Sequence, residues 1–260
     1  MDDNQQKFQE KDLKIKDKSF KYFLSPIFVE NNFKHGFFTK TSSETNLSVL
    51  SKQLNENNKD CILNQIHSNQ IVFGSETQGS EIEEADGIFS DKHNQTLWIY
   101  TADCMPILFA DKSKRQVGAI HCGRKGLENK IIKNIIDKFY NNGCSNEDLI
   151  VAIGPSISKK YYLVDNITLE NFYRYVPHNE SISLIDNLPT LFKLKKLVNN
   201  KNKVLNALDL KKYAHLQLIN EKIPKKNIDI SDLCTYESNY DFHSWRRSKT
   251  YSRQWSFISP

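Results

Sequence analysis

Two histidines and one cysteine lie at the ends of apolar runs in this sequence and could do chemistry together. His67 ends the run CILNQIH, Cys104 ends LWIYTADC, and His121 lies near the end of QVGAIHC. Functional side chains gather at strand ends and in the loops that follow them. Two imidazoles and a thiolate suit zinc, and three protein ligands leave a fourth position for water, whose pKa falls to about 7. The three residues therefore predict a zinc site that activates water to attack a polarised carbon.

The spacing of these residues also allows two other interpretations, because their intervals match no compact metal-ligand motif. In the first, Cys104 is a small buried hydrophobe and both histidines are hydrogen-bonded at strand ends. In the second, Cys104 and His121 form a nucleophile and base pair without a metal. Sequence spacing alone does not separate these possibilities.

The segment 121–126, HCGRKG, predicts an anion site beside His121. It joins a strand to a helix, and free backbone N–H groups and the positive end of a helix dipole favour an anion there. The side chains of Arg124 and Lys125 would add positive charge for a phosphate-sized ligand. The alternative is a solvated turn that carries two surface cations. The GxxxxGK spacing of a P-loop is absent.

Several other polar or reactive residues have two interpretations each. Asp103 either orients a metal ligand or caps a turn. The C-terminal segment carries three arginines that form either a second anion site or a charged surface strand: Arg246, Arg247 and Arg253. Three further cysteines are interpreted as structural: Cys122, Cys144 and Cys234.

Apolar periodicity predicts the elements that position these side chains. Apolar residues recur every four positions from Leu127 to Phe139, which predicts a helix that Asn-Asn-Gly at 141–143 ends. A second helix is expected over 208–223 and a short one over 47–58. Strand-like runs cover 35–40, 61–67, 71–74, 97–104, 106–111, 116–122 and 149–155, and the Asp-Gly pair in ADGIFS (85–90) indicates a turn. Strands that alternate with helices predict a mixed α/β fold.

The sequence predicts a polar N-terminal extension over residues 1–20, one catalytic domain over 21–260, and an irregular insertion at 178–203. The net charge of +5 is spread along the chain without a basic stripe, which argues against a nucleic-acid partner. Five cysteines without a CxxC pair fit a reducing compartment. No apolar run approaches the ~18 residues of a membrane span, and no secretion signal is recognisable. We therefore expect a cytoplasmic protein without a membrane partner.

Six segments of the sequence, taken in order, resemble the YfiH/laccase-domain family, also called multicopper polyphenol oxidase and peptidoglycan editing factor. They are NQIHSNQIV, ADGIFS, TADCMPILFAD, VGAIHCGRKGL, AIGPSIS with YYLV, and CTYES with FHSWRRSKTYSRQWSFI. The resemblance covers roughly residues 33–258. It implies one α/β domain in which mixed β-sheets pack together with helices on the outside, an αββα-type sandwich.

Family members are understood as zinc-dependent purine nucleoside enzymes, and the resemblance implies this activity here. Such enzymes cleave adenosine, inosine, guanosine and methylthioadenosine with phosphate, and they also deaminate adenosine. The family's metal ligands correspond to His67, Cys104 and His121, with copper as the less favoured metal. Phosphate is expected at Lys125 with Arg124, and Gln65 is expected to contact the substrate.

One departure from the family pattern affects the expected phosphate site. The family usually reads HAGWRG where this chain has HCGRKG, so Arg124 stands at the tryptophan position and Lys125 at the arginine position. A lysine holds phosphate as a point charge, without the bidentate fork of arginine.

Three rival functions follow from the same residues. A peptidoglycan-precursor hydrolase would use the same site on a larger substrate. A copper phenol oxidase fits poorly, because seven histidines without an HxH pair do not easily furnish several copper sites. A non-enzymatic module would bind nucleic acid through the basic tail and would show a strong salt dependence.

Overall fold

Two six-stranded mixed sheets pack face to face, and helices cover their outer surfaces. The computed structural model describes residues 7–174, 197–198, 204–238 and 240–260. The insertion predicted at 178–203 lies outside the described residues, apart from 197–198. None of the helices within these ranges is long and apolar enough to cross a membrane.

The first sheet is antiparallel except at one edge, where β4 runs parallel to β7. In spatial order its strands are β1 (Gln9–Ile15), β2 (Lys18–Leu24), β3 (Lys34–Phe38), β15 (Gln254–Ser259), β7 (Gln95–Thr101) and β4 (Lys59–Cys61).

The second sheet is antiparallel in its centre and parallel at both edges. Its strands are, in order, β14 (Ile228–Ile230), β10 (Leu149–Ile153), β8 (Met105–Asp111), β9 (Val117–Cys122), β6 (Gly87–Phe89) and β5 (Ile71–Phe73). A small third sheet joins β11 (Leu163–Asp165), β13 (Val204–Ala207) and β12 (Leu197–Val198).

The described helices are short, and the longest have eleven residues. They are α1 (Pro26–Glu30), α2 (Leu47–Asn55), α3 (Arg124–Glu128), α4 (Ile131–Asn141), α5 (Asn166–Arg174), α6 (Leu210–Asn220) and α7 (Trp245–Ser248).

Strand β8 shows why the central runs of the sequence are continuously apolar. Ile107 and Phe109 belong to the core beneath α4 and α6, whereas Leu108 and Ala110 belong to the core between the two sheets. Both faces of a strand in the middle layer are buried, so the alternation of polar and apolar residues disappears. The strands expected over 106–111, 116–122 and 149–155 are confirmed as β8, β9 and β10.

Helix α2 covers the outer face of the first sheet. Its Leu50 is fully buried against aromatic side chains of that sheet, which include Trp98 and Phe257. With α4 and α6 on the opposite side, the layers follow the order helix, sheet, sheet, helix. The αββα-type sandwich expected from the family resemblance is confirmed.

The N-terminal segment is ordered well before residue 20, where we expected a loose extension. From residue 9 onward it forms the β1–β2 hairpin at one edge of the first sheet, with Leu13 opposite Phe20. Strand β1 is mostly exposed on both faces, so its sequence is polar and shows no apolar alternation. Charged side chains on such an edge also oppose pairing with other chains.

The helix predicted from Leu127 to Phe139 is interrupted, and its two parts are α3 and α4. Lys130 has a left-handed backbone with φ of 62°, and the N–H of Asn129 donates to Lys125 O at 2.9 Å. The apolar periodicity passes through the interruption because Leu127 and Ile131 both enter the same core. The predicted end of the helix and the second predicted helix, α6, are confirmed.

A buried histidine links α1 to both sheets. The N–H of Ser25 donates to His35 Nε2 at 2.7 Å, and His35 Nδ1–H donates to Phe33 O at 2.9 Å. The Ser25 hydroxyl donates to Asp229 of β14 at 2.6 Å. Ser25, which follows β2, thereby connects the first sheet to the second. Burial disfavours the charged form of the ring and lowers the pKa of His35 to about 4. The ring is therefore neutral at pH 7.

The pKa of His35 makes folding stability depend on pH. An unfolded histidine accepts a proton below about pH 6.5, whereas folded His35 does so only near 4, so stability falls as pH drops through this range. Between pH 7 and 4.5 we expect His35 to account for a loss of roughly 2.5 kcal/mol. His35→Gln keeps a donor and an acceptor but does not titrate. Urea unfolding followed by tryptophan fluorescence should show a smaller acid loss in this variant, and equal losses would contradict the assignment.

Candidate functional site

Cys104 lies in a turn that carries the chain from one sheet to the other. Strand β7 belongs to the first sheet and β8 to the second, and the turn at 102–104 connects them. Asp103 has a left-handed backbone with φ of 88°, which makes the turn sharp.

The buried carboxylate of Asp103 holds this turn in place. It accepts hydrogen bonds from Thr235 Oγ1 at 2.7 Å, from Ser244 Oγ at 3.1 Å and from the N–H of Arg246 at 2.7 Å. The side chain of Asp103 thus anchors the turn to the C-terminal segment, while its expected role in orienting a metal ligand stays a prediction. Cys104 is thereby positioned through its backbone.

His121 ends the buried strand β9, as the sequence predicts. Its Nδ1 lies 2.7 Å from Asp86 Oδ1, and its backbone N–H donates to Asp86 O at 2.8 Å. The carboxylate accepts a hydrogen bond from Nδ1–H, which leaves Nε2 for the side of the ring that meets Cys104. The Asp86–His121 pair is the arrangement that orients metal-binding histidines in proteins.

His67 lies in a loop rather than at the end of a strand, because β4 ends at Cys61. Its backbone is left-handed, with φ of 61°. Asp86 Oδ1 accepts the N–H of His67 at 3.0 Å, and Asp86 Oδ2 accepts the N–H groups of Ile66 and Ser68. One buried carboxylate therefore shapes this loop and also orients His121.

The side-chain amide of Gln65 forms hydrogen bonds with the main chain of β7. Its Nε2 donates to Tyr100 O at 2.7 Å, and its Oε1 accepts the N–H of Tyr100 at 2.9 Å. The Gln65 N–H also donates to the Tyr100 hydroxyl at 3.1 Å. These contacts fix the start of the His67 loop, while the expected contact with substrate stays a prediction.

The three side chains singled out in the sequence converge. The potential ligand atoms of His67, Cys104 and His121 all lie within 4.8 Å of one another. His67 Nε2 is 4.0 Å from Cys104 Sγ, and the two imidazole rings have centroids 4.7 Å apart. Two nitrogens and one sulfur at this separation could hold a metal ion such as zinc. Across the described residues, no second group of three metal-binding side chains lies as close together.

Gly123 has no side chain, and this leaves room for the side chains of Cys104 and His67. A Cβ atom at this position would lie 2.8 Å from Cys104 Sγ and 3.5 Å from His67 Cδ2. Its φ of −87° is accessible to any residue. The close packing, and not the backbone conformation, therefore explains why this residue is a glycine. The donor set, the oriented imidazole and this space together fit a bound metal.

Charge pairing activates the cysteine. Burial alone would raise the pKa of Cys104, but the neighbouring His121 and His67 outweigh burial and bring it down to about 6. Burial would lower the pKa of His121, and Cys104 and Asp86 raise it to about 9. Without a metal, the pair is therefore thiolate and imidazolium at neutral pH. The neighbouring Cys122 is buried and its pKa is raised well above 9, which agrees with a structural role.

The two cations of the HCGRKG segment differ in their surroundings. Arg124 forms an ion pair with the buried Glu128 one helical turn later, whereas Lys125 is exposed. The helix that follows Gly123 is the five-residue α3, so it supplies a smaller dipole for an anion than the long helix that we predicted.

The three C-terminal arginines brace the chain, and their role as an anion site stays a prediction. Each guanidinium donates to main-chain carbonyls: Arg246 to Leu163 O, Arg247 to Thr235 O, Tyr236 O and Phe242 O, and Arg253 to Thr250 O and Ser252 O of its own segment. Neither interpretation from the sequence included this role.

Asp86 is not among the residues predicted from the sequence, although its segment ADGIFS is a turn signal and carries part of the family resemblance. Asp86 directly precedes β6, and burial raises its pKa while hydrogen bonds and the charge of His121 lower it, with a net lowering. In the sequence, Asp86 is an acidic residue that directly precedes the apolar pair of β6 and lies between His67 and Cys104. This pattern could have identified it.

Curated relatives match most of the chain. A Synechocystis protein named purine nucleoside phosphorylase is 30% identical over 240 residues, which cover 86% of this chain and 88% of the relative. A Rickettsia conorii protein of the same name is 35% identical over 204 residues, which cover 75% of this chain and 84% of that protein.

Solved structures share the fold. YlmD from Geobacillus stearothermophilus aligns with a TM-score of 0.74 and 22% identity, over 95% of this chain and 97% of that one. The hypothetical protein YfiH of Bacillus licheniformis aligns with a TM-score of 0.72 and 22% identity, over 92% and 96%. The family model for the multi-copper polyphenol oxidoreductase laccases matches residues 38–260. On this match and on the relatives above, the chain belongs to the laccase-like YfiH family.

Proposed function

We propose that this chain is a zinc-dependent purine nucleoside phosphorylase that also deaminates adenosine. The observation that carries the proposal is the convergence of His67, Cys104 and His121 within 4.8 Å. The relatives that are 30–35% identical and named purine nucleoside phosphorylases support the substrate class. The proposed substrates are adenosine, inosine, guanosine and methylthioadenosine.

The metal would be held by His67, Cys104 and His121. When bound there, zinc supplies a Lewis acid that stabilises negative charge on oxygen and lowers the pKa of a coordinated water. Asp86 accepts the Nδ1–H of His121 and fixes the backbone of the His67 loop, so the His121 imidazole is oriented before any ligand arrives. Gln65 holds the start of the same loop through Tyr100, and we propose that it also contacts the substrate.

Phosphate would bind at the HCGRKG segment. The exposed Lys125 and the paired Arg124 supply positive charge next to His121. In phosphorolysis a phosphate oxygen bonds to the anomeric carbon of ribose while the bond to the purine nitrogen breaks. In deamination, water replaces the amino group at the six-carbon of adenine. Both reactions need an oxygen nucleophile near a site that stabilises charge.

The name of the family model points to a second candidate, copper-dependent phenol oxidation. A His₂Cys donor set also occurs in copper proteins. A multicopper enzyme needs several metal sites, and the residues that the structure describes offer one three-ligand cluster. We therefore favour zinc, and metal analysis together with oxygen uptake distinguishes the two candidates.

Removal of the thiolate should abolish both proposed reactions. Purified protein and Cys104→Ala are given adenosine with and without phosphate, and the products are separated by chromatography. We expect adenine with ribose 1-phosphate when phosphate is present, inosine without it, and at least a hundredfold loss of both in the variant. Cys144→Ala, which removes a thiol at the end of α4, is the matched control.

Each other outcome of this experiment excludes one interpretation. Turnover no higher than that of Cys104→Ala would contradict the purine nucleoside function, and the cell-wall precursor would be the next substrate. Bound copper with oxygen uptake on phenols would revive the oxidase. Full activity in protein freed of metal would favour the Cys104–His121 nucleophile pair.

The Asp86 carboxylate should matter for the metal affinity of the folded protein. Asp86→Asn keeps the size of the side chain but removes the charge that holds the Nδ1 proton of His121. Loss of such a partner typically costs 10–100-fold in metal affinity, and we expect a loss in this range. Competition with a chromophoric chelator measures it.

Asp91→Asn is the control for this experiment. Asp91 is also a hydrogen-bonded carboxylate with a lowered pKa, but its partners are Ser75 and Gln95, outside the cluster. Equal zinc affinity in Asp86→Asn and the wild type would show that the Asp86–His121 pair does not orient a ligand.

A further inference from the structure

Two exposed apolar side chains adjoin the candidate metal cluster. The large apolar residues with the highest exposure in the described part of the chain are Val29, Val49, Ile66, Ile82, Ile167, Trp245 and Tyr251. Ile66 directly precedes His67, and Trp245 directly precedes Arg246, whose N–H binds Asp103. Single exposed apolar residues are common on protein surfaces, but two that adjoin one site indicate a ligand with an apolar surface.

The cluster is open to solvent beside Ile66. His121 is buried, Cys104 is half-buried and His67 is exposed, so the opening lies on the His67 side. Ile66 is 44% exposed, and its N–H donates to Asp86 Oδ2 at 3.2 Å. The same carboxylate that orients His121 therefore also holds an apolar residue at the rim of the opening.

Trp245 begins α7 and is attached to the Cys104 turn on both sides. The hydroxyl of Ser244 and the N–H of Arg246 donate to Asp103 Oδ2 at 3.1 Å and 2.7 Å. Ser244 is fully buried, and its hydroxyl also caps α7. Trp245 is nevertheless 44% exposed. The residue is thus held at the Cys104 turn while much of its side chain remains in solvent.

One face of the Trp245 ring carries a positive charge. Lys249 Nζ lies 3.4 Å from the ring centroid, which is a cation–π contact. An ammonium group covers only one face of an indole, so the second face can take a flat aromatic group. Purine and pyrimidine bases stack on such faces in proteins, since every base has a π-face. Trp245 therefore offers a surface for a base next to the Cys104 turn.

We propose that Trp245 and Ile66 bind the purine base of the substrate, with the base stacked on the indole and in apolar contact with the Ile66 side chain. This inference rests on the proposed function and names the residues that recognise the base. Small-molecule sites combine apolar and aromatic walls with a few polar groups. Here the apolar walls serve the base, and the cations of the HCGRKG segment are left for phosphate.

Inosine without phosphate tests the stacking role of Trp245 by binding alone. Inosine has no 6-amino group to lose, and phosphorolysis needs phosphate, so the zinc-loaded protein binds it without turnover. In isothermal titration calorimetry we expect Trp245→Ala to bind inosine about tenfold more weakly than the wild type, because the stacked base loses its partner. Tyr251→Ala, which removes a 91% exposed ring from the same segment, should match the wild type. Equal affinity in Trp245→Ala and the wild type would overturn the inference.

The apolar contact with Ile66 is measured in the same way. Ile66→Ala should weaken inosine binding about threefold, since it removes a smaller contact than the indole. Val49→Ala shortens a similarly exposed side chain on α2 and is the matched control. An unchanged affinity in Ile66→Ala would contradict the assignment of Ile66 to the base site.

A ligand without a base separates recognition of the base from damage to the site. Ribose 1-phosphate lacks the purine, so its affinity should stay within twofold of the wild-type value in Trp245→Ala. An equal loss of affinity for inosine and for ribose 1-phosphate would overturn the inference, because general damage to the site produces that pattern.

Tryptophan fluorescence reports the stack directly. Bound inosine should quench part of the fluorescence of the wild type. Trp245→Phe keeps an aromatic face, so it should bind inosine within threefold of the wild type while this quench disappears. A quench of unchanged size in Trp245→Phe would show that the base does not stack on Trp245.

The binding of inosine also separates this inference from the proposed function. The expected affinities in a protein that forms no products from adenosine would keep the inference and reject the proposed function. Normal phosphorolysis together with unchanged inosine affinity in Trp245→Ala would reject the inference alone. No measurable binding of inosine by the wild type would also overturn the inference.

Discussion

The candidate site depends on the buried carboxylate of Asp86. An ionised carboxylate inside a protein is tolerated only when hydrogen bonds and opposite charge compensate for lost hydration. Asp86 obtains both from the site, because three successive N–H groups of the His67 loop and the ring of His121 surround it. The requirement of one buried charge thus brings together two potential ligands that are far apart in the chain.

The third potential ligand is positioned by the two-sheet architecture. Cys104 lies where the chain leaves the first sheet and enters the second, and Asp103 fastens this crossing to the C-terminal segment. The strands on either side are buried in the sandwich, so the turn has little freedom to move. Two adjacent residues therefore have different roles. Asp103 anchors the turn, and the sulfur of Cys104 faces the two histidines.

The family name and the names of the relatives point to different chemistry, and the geometry of the site bears on the number of metal ions that it could hold. The cluster of His67, Cys104 and His121 suits one metal ion, and cationic residues lie beside it. The HCGRKG segment places Arg124 where the family pattern has tryptophan, and the structure shows this arginine paired with Glu128. The departure thus adds a paired cation beside the candidate metal ligands.

Local patterns in the sequence were sufficient for the mixed α/β class and for the three side chains that converge in the structure. The buried strands and the helices α4 and α6 follow from apolar periodicity, and the family resemblance identified the sandwich. The role of Asp86 follows only from the tertiary structure, because its partners are distant in sequence. The left-handed residues His67 and Lys130 and the polar hairpin β1–β2 were also outside such patterns. Periodicity reports which face of an element is buried, whereas the path of the chain between sheets decides which side chains meet.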